Sequence, residues 1–219
     1  MGQDERALGA AVLTEDQIAS YFTRKDGTYL CARWGRPIAP VIFGVDEKSL
    51  EVFKAALEAV VVLADHKMAE TDPELGSNLM IFFCKDWDEL AAVPHLDKLV
   101  PDLQILVKRL IKSDANQYRI FRFEEEGAIK AAFVFLRLDE HMANATADTI
   151  ALSQATQTIL LWSDTAFMDA SPLGIVEDKA VLKPEIADII RTAYDPTLPA
   201  VAQDKSHALR MAARLMVRQ

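Results

Sequence analysis

Between Asp46 and Cys84 the chain changes its hydrophobic period, and that change limits the folds open to it. Leu50, Phe53, Leu57, Val60, Val61 and Ala64 recur at helical spacing, so the pattern predicts a helix over 46–68. "DPELGSN" then turns the chain, and "NLMIFFC" follows as a short strand that is apolar from Leu79 to Cys84. Helix, loop and strand in that order suggest an α/β-type unit, with Ile38–Phe43 expected beside Leu79–Cys84 in one sheet. Pro37 and Pro40 leave the early part of that first strand fit only for an edge, because proline donates nothing to a ladder. Gly44 ends it.

The remaining elements read as follows. Thr14 and Gln17 form a capping pair before a short helix starting near Glu15. A second helix is expected over 96–111, irregular at its start because of Pro94 and Pro101. "QYRIFRFEEEGAIKAAFVFLRL" is a hairpin, with Tyr118–Phe123 outgoing, Glu124–Gly127 turning and Ala128–Leu138 returning. Arg119 and Arg122 are expected to face water or the Glu124–Glu126 cluster. A helix follows from about Asn144, "DASPLGIV" reads as a loop, and Pro184 sits in the first turn of a helix that stops before Pro196. "DKSHALRMAARLMVR" closes the chain as an amphipathic helix. With no internal repeat and no low-complexity linker, residues 1–219 read as one α+β domain, and 1–13 as a flexible N-terminal segment.

Composition narrows the function classes. Apolar residues make up 51% and charged residues 26%, enough for a sizeable core and too apolar for global disorder. The net charge of −9 comes with no sustained basic face, which argues against nucleic-acid binding. Lys205, Arg210, Arg214 and Arg218 cluster near the C-terminus, where cations suit a helix end. No run approaches the ~20 apolar residues of a membrane span. Cys31 and Cys84 belong to no CxxC pattern; they would pair as a disulfide in an exported protein and stay as buried thiols in a cytosolic one. "MGQDERALGA" suits either a native start or a mature chain whose leader has been removed. No G-x-S-x-G, G-x-G-x-x-G or Walker A pattern occurs, so hydrolase-elbow and glycine-cradle chemistries lack support, and no cofactor is implied.

One helix carries a more specific suggestion. In "ALSQATQTILLWSD" the residues Ser153-Gln154-Ala155-Thr156-Gln157 occupy the places of the zincin pattern H-E-x-x-H. Ser153 and Gln157 fall on one helix face, where that pattern puts its two zinc-binding histidines. Neither residue is a zinc anchor, and Gln154 is no general base. Through Thr156, Gln157, Leu161 and Asp164, the stretch resembles a family of bacterial exported or lipid-anchored proteins with a degenerate zincin-like helix. That family's pattern is E-E-x-T-Q-A-x-G-L-P-N-D, followed downstream by L-Y-D-P-x-L. Tyr194, Asp195, Pro196 and Leu198 match the second motif, and Arg33, Trp34 and Pro37 resemble the family's R-W-x-x-P-V strand.

The resemblance implies a zincin-like layout of strand, long helix, strand, hairpin and motif helix, and favours an exported or periplasmic setting over a cytoplasmic one. Both acidic positions of the family's helix are replaced here, by Ser153 and Gln154. The expectation is therefore a non-catalytic domain acting by binding or assembly, with a protein partner or a second copy of itself. Its candidate binding residues are Ser153, Gln154, Gln157, Asp164, Tyr194 and Asp195. The alternative is a hydrolase, with a site rebuilt around Ser153, Gln157 and Asp164 or assisted by a metal at Asp139, Glu140 and His141. No metal is expected on the motif helix itself. Trp34, Trp87 and Trp162 are either core residues or the lining of a recognition groove.

Overall fold

The computed structural model of the protein describes residues 13–218; the N-terminal segment before Leu13 lies outside the described residues. Helix α1 (Glu15–Ser20) opens with the capping pair, in which Thr14 accepts from the Gln17 amide and Gln17 Oε1 accepts from the Thr14 amide. The two-residue strand β1 (Cys31–Ala32) comes next. β2 (Pro40–Phe43), α2 (Glu47–Leu63) and β3 (Leu79–Cys84) then form a βαβ unit with parallel strands, Pro40 opposite Leu79 and Phe43 opposite Phe82. β2 lies at an edge of the sheet, where its proline can be accommodated.

A 3-10 helix (Trp87–Ala92) leads to α3 (Leu96–Leu99) and α4 (Leu103–Lys112), two pieces where one irregular helix was expected. Pro101 lacks the amide a continuous helix needs, and Asp102 beside it turns to φ 57° before α4 restarts. β4 (Gln117–Phe123) and β5 (Ile129–Arg137) make the antiparallel hairpin, and β5 enters the sheet parallel to β3. The resulting order is β2-β3-β5-β4. Strand alternation divides the apolar side chains between two faces. Leu79 and Ile81 with Ala132, Val134 and Leu136 join one core, while Phe82 and Cys84 with Phe133 and Phe135 join the other. The second core is closed by the 3-10 helix, α3 and α4, through Trp87, Leu96 and Leu106.

The first core is closed mainly by helices from the rest of the chain. α5 (Glu140–Ala143) leads into α6 (Ala147–Thr158), the motif helix, which packs on α2. Next comes a hairpin, β6 (Leu173–Val176) and β7 (Lys179–Leu182), where the sequence reads as a loop. Its two-residue turn puts Glu177 and Asp178 at φ 48° and 61°, a left-handed pair usually made with glycine or asparagine, so the usual sequence cue is missing. α7 (Pro184–Ala193), β8 (Val201–Ala202) and α8 (Ser206–Arg218) finish the domain, with β8 pairing antiparallel to β1. The whole is a single compact α+β domain, and among the described residues no helix is long and apolar enough to cross a membrane. Both cysteines are free thiols, Cys31 in the first core and Cys84 in the second, and burial raises their pKa values to about 12 and about 11.

α8 docks through His207, which is 1% exposed and shares a 2.8 Å hydrogen bond with the Tyr29 hydroxyl through Nδ1. Its Nε2 is buried without a partner among the described residues. Burial, reinforced by the positive charges of Arg210 and Arg33, lowers the His207 pKa to about 4. The folded chain therefore keeps this imidazole neutral where an unfolded one, near 6.5, takes a proton. His207 leaves stability unaffected above about pH 6.5 and subtracts from it progressively as pH falls toward 4, by a total approaching about 3 kcal/mol. Urea midpoints measured from pH 7 to 4.5 should fall, and His207→Gln should flatten the portion above pH 5. An unchanged slope in His207→Gln would show that this imidazole is not the titrating group.

Candidate functional site

The motif helix is fixed at both ends by side chains. At its N-terminus Thr146 accepts from the Thr149 amide. The last carbonyls of a helix have no partner within it. Here three aromatic donors supply partners, one from just beyond the helix and two from distant parts of the chain. Trp162 Nε1 donates to Thr156 O, Trp34 Nε1 to Thr158 O and the Tyr194 hydroxyl to Ile159 O, each at 2.8 Å. All three rings are buried. Tyr194 also accepts from the Trp34 amide at 3.3 Å, with the Arg33 guanidinium over its ring face and the His66 ring beside it. Burial, its largest cause, raises the Tyr194 pKa well above the usual phenol value, so the hydroxyl remains a donor.

The six candidate binding residues separate in space. Ser153 and Gln157 do share a face, and Gln157 Nε2 donates to Ser153 Oγ at 2.8 Å. Gln154 is buried on the side toward β4, where its Oε1 accepts from Arg119 and its amide nitrogen lies 3.5 Å from Gln117 Oε1. Asp164 follows the helix and accepts from the Lys25 amide. Tyr194 and Asp195 work in the framework instead: Tyr194 closes the helix end, and Asp195 accepts from the Thr197 amide and hydroxyl.

Gln157 and Asp164 line a groove of about 640 Å³ between β4 and the chain leaving α6. Gln117, Arg119, Phe121 and Phe123, alternate residues of β4, form one wall. Trp162, Phe167 and Met168 form much of the other, where Trp162 stacks on Phe22 with ring centres 5.5 Å apart and meets the edge of Phe167 at 5.0 Å. Met168 is 74% exposed, so this wall presents free apolar surface. Arg24 adds a second cation at the rim.

Arg119 gives the groove its electrostatic character; it is half-buried on the groove wall, and of the two expected surroundings, water and the Glu124–Glu126 cluster, the cluster is not its partner. Glu124, the acidic neighbour expected to attract it, pairs instead with Arg36, which also reaches Asp72 and Glu74. Arg119 turns toward α6 and donates through Nη2 to Gln117 and Gln154, two neutral amides. Among the described residues its buried Nε has no partner and no carboxylate forms an ion pair with it. Desolvation lowers its pKa to about 10, leaving it charged at neutral pH. A desolvated cation whose oriented partners are uncharged is an anion-binding arrangement.

The metal-assisted alternative centres on another place. Asp139 caps α5 by accepting from the Met142 amide, and Glu140 lies in that helix's first turn; the His141 side chain lies outside the described residues. A cavity of about 250 Å³ opens beside this segment, bounded by Gly44, Phe83, Leu138 and Met142. It lies beyond the carboxyl ends of the parallel strands, where open α/β sheets often bind ligands. Its one acidic lining residue, Asp46, is engaged in capping α2. Among the described residues no three His, Cys, Asp or Glu side chains converge as a metal site.

The sequence marks Phe121 and Phe123 as hairpin residues and gives Arg119 no role in a site. A strand pattern reveals which side chains share a face, not that a helix from elsewhere lies over them. Comparison with protein-family models, with curated proteins and with solved structures finds no significant match to this chain.

Proposed function

We propose that this chain acts by binding rather than catalysis, as a zincin-like domain that receives a ligand in the groove between β4 and the C-terminal end of α6. The observation that carries this reading is the Arg119 guanidinium, charged and held by two amides against an open aromatic wall. Ligand sites of this size typically combine apolar walls with a few oriented polar groups. The helix supports binding over zincin chemistry, because its two ligand positions are Ser153 and Gln157, bonded to one another. No base activates the serine in that pair, since the amide donates to the hydroxyl.

Anilinonaphthalene sulfonate, an anion with an apolar body, tests the reading. It should saturate at one site per chain, Arg119→Gln should weaken it about tenfold, the equivalent of 1.4 kcal/mol, and Phe167→Ala should also weaken it. Absence of saturable binding, or binding indifferent to both substitutions, would overturn the proposal. A hydrolase is the second reading, favoured by Gln157 and Asp164 sharing the groove. It requires turnover of an ester or peptide panel that Asp164→Asn or Gln157→Ala abolishes. Stoichiometric zinc lost on Glu140→Ala would favour the metal-assisted form.

A further inference from the structure

The groove runs along a strand whose outer edge is free among the described residues. β4 ends the sheet order, and among the described residues its only ladder is the one with β5. Among the described residues no other backbone hydrogen bond reaches Tyr118–Phe123. Tyr118 lines the groove along with Gln117, Arg119 and Phe121, so the space wraps the strand's edge as well as one face. A free edge offers a row of amides and carbonyls to any extended chain laid beside it. The irregularity at Arg122/Phe123 limits the regular stretch to Gln117–Arg122.

On the groove face of that stretch stand Arg119 and, two residues on, Phe121. A strand paired with β4 would present alternate side chains to the same face, so one of its residues would meet Arg119 and the residue two away would meet Phe121 and the aromatic wall. The carboxylate already lining the groove, Asp164, is turned to the Lys25 amide. Arg119 and Arg24 thus face an incoming ligand as cations, although the chain as a whole is acidic at −9. The overall charge disfavours a second copy of the chain as the occupant, while the two local cations favour a locally acidic segment of a partner.

We infer that the groove takes an extended peptide segment of a partner protein, which adds as a strand to the free edge of β4 and sets an Asp or Glu side chain on Arg119 with an apolar side chain two residues away. This rests on the groove being the binding site, and it adds the ligand class and the binding mode.

Panning a displayed library of randomised heptapeptides against the full chain tests it. Recovered peptides should share an acidic residue with an apolar residue two positions away. A synthetic representative should lose at least tenfold in affinity when its acid is changed to the amide, a comparison that leaves the protein untouched. Arg119→Gln, verified as folded by its melting profile, should erase that difference, and Arg119→Lys should keep part of it. Amide exchange should slow at Tyr118–Arg122 in the peptide complex. Peptides with no acidic preference, equal binding by Arg119→Gln, or unprotected β4 amides would each overturn the inference. So would N-acetylglutamate competing as well as the peptide, since a free carboxylate would then suffice. Self-association of Arg119→Gln with peptide binding unaltered would overturn it too, identifying Arg119 as a guard of the edge. If peptides fail while anilinonaphthalene sulfonate still saturates one Arg119-dependent site, the strand-addition inference falls alone; if both fail, the groove reading falls with it.

Discussion

Trp162→Ala should destabilise the chain by about 4 kcal/mol, the usual scale for removing a large buried aromatic ring. The ring is 9% exposed, stacks on Phe22, meets the edges of Tyr21 and Phe167, and donates to Thr156 O at the end of the motif helix. Truncation opens a cavity at the base of the groove and leaves a helix carbonyl without its donor. Trp162→Phe separates the two effects. It keeps one aromatic ring in the stack and removes the indole N–H with part of the ring system, so it should cost less, about 2 kcal/mol. Urea unfolding of the three proteins gives the measurement. Equal losses in the two variants would mean that the hydrogen bond to α6, and not the ring stack, holds this end of the helix. Since domains are stable by only about 5–15 kcal/mol, Trp162→Ala should also melt well below the parent.

Gly44→Ala should cost roughly 3–5 kcal/mol, combining a left-handed backbone with a collision against another strand. Gly44 leaves β2 at φ 83°, and a Cβ there would stand 2.3 Å from the Phe83 carbonyl oxygen and 3.1 Å from its carbon. That obstacle is backbone of β3, where Phe83 stands in register with Leu136 of β5, so it has no rotamer by which to yield. Gly27 is the control. Its φ is 86°, yet a Cβ there meets nothing within 4 Å. Gly27→Ala should therefore cost only the conformational part, about 1–2 kcal/mol. The difference between the two midpoints isolates the steric part, and equal losses would show that β3 moves aside.

Hydrophobic period made the frame legible: α2, β3, the β4–β5 hairpin and the amphipathic closing helix all follow from spacing that one element must satisfy alone. Local chemistry was legible for the same reason. The Thr14–Gln17 box and Pro184 at the start of α7 act within one turn of helix. Legibility failed where a residue's role depends on something far away in sequence. The turn at Glu177–Asp178 adopts left-handed geometry without the usual residues, so only the paired strands reveal it. In the candidate site, the sequence singled out Gln157 and Asp164, which do line the groove, and Tyr194 and Asp195, which serve the framework.

The sequence by itself determined that this chain builds a mixed α+β core around an apolar strand, and that Ser153 and Gln157 share one face of a helix. Both follow from residue identity and from periods read over a few turns. Only the tertiary structure decided what surrounds that helix. Trp34, Trp162 and Tyr194 meet at its carbonyl end because unpaired backbone groups in a buried place need donors, whichever part of the chain supplies them. Arg119 leaves the nearby glutamates for two amides because Arg36 has already engaged Glu124 and because the sheet presents residue 119 to α6. Pairings of that kind are settled by competition among groups brought together by the whole fold, and no stretch of sequence holds all the competitors.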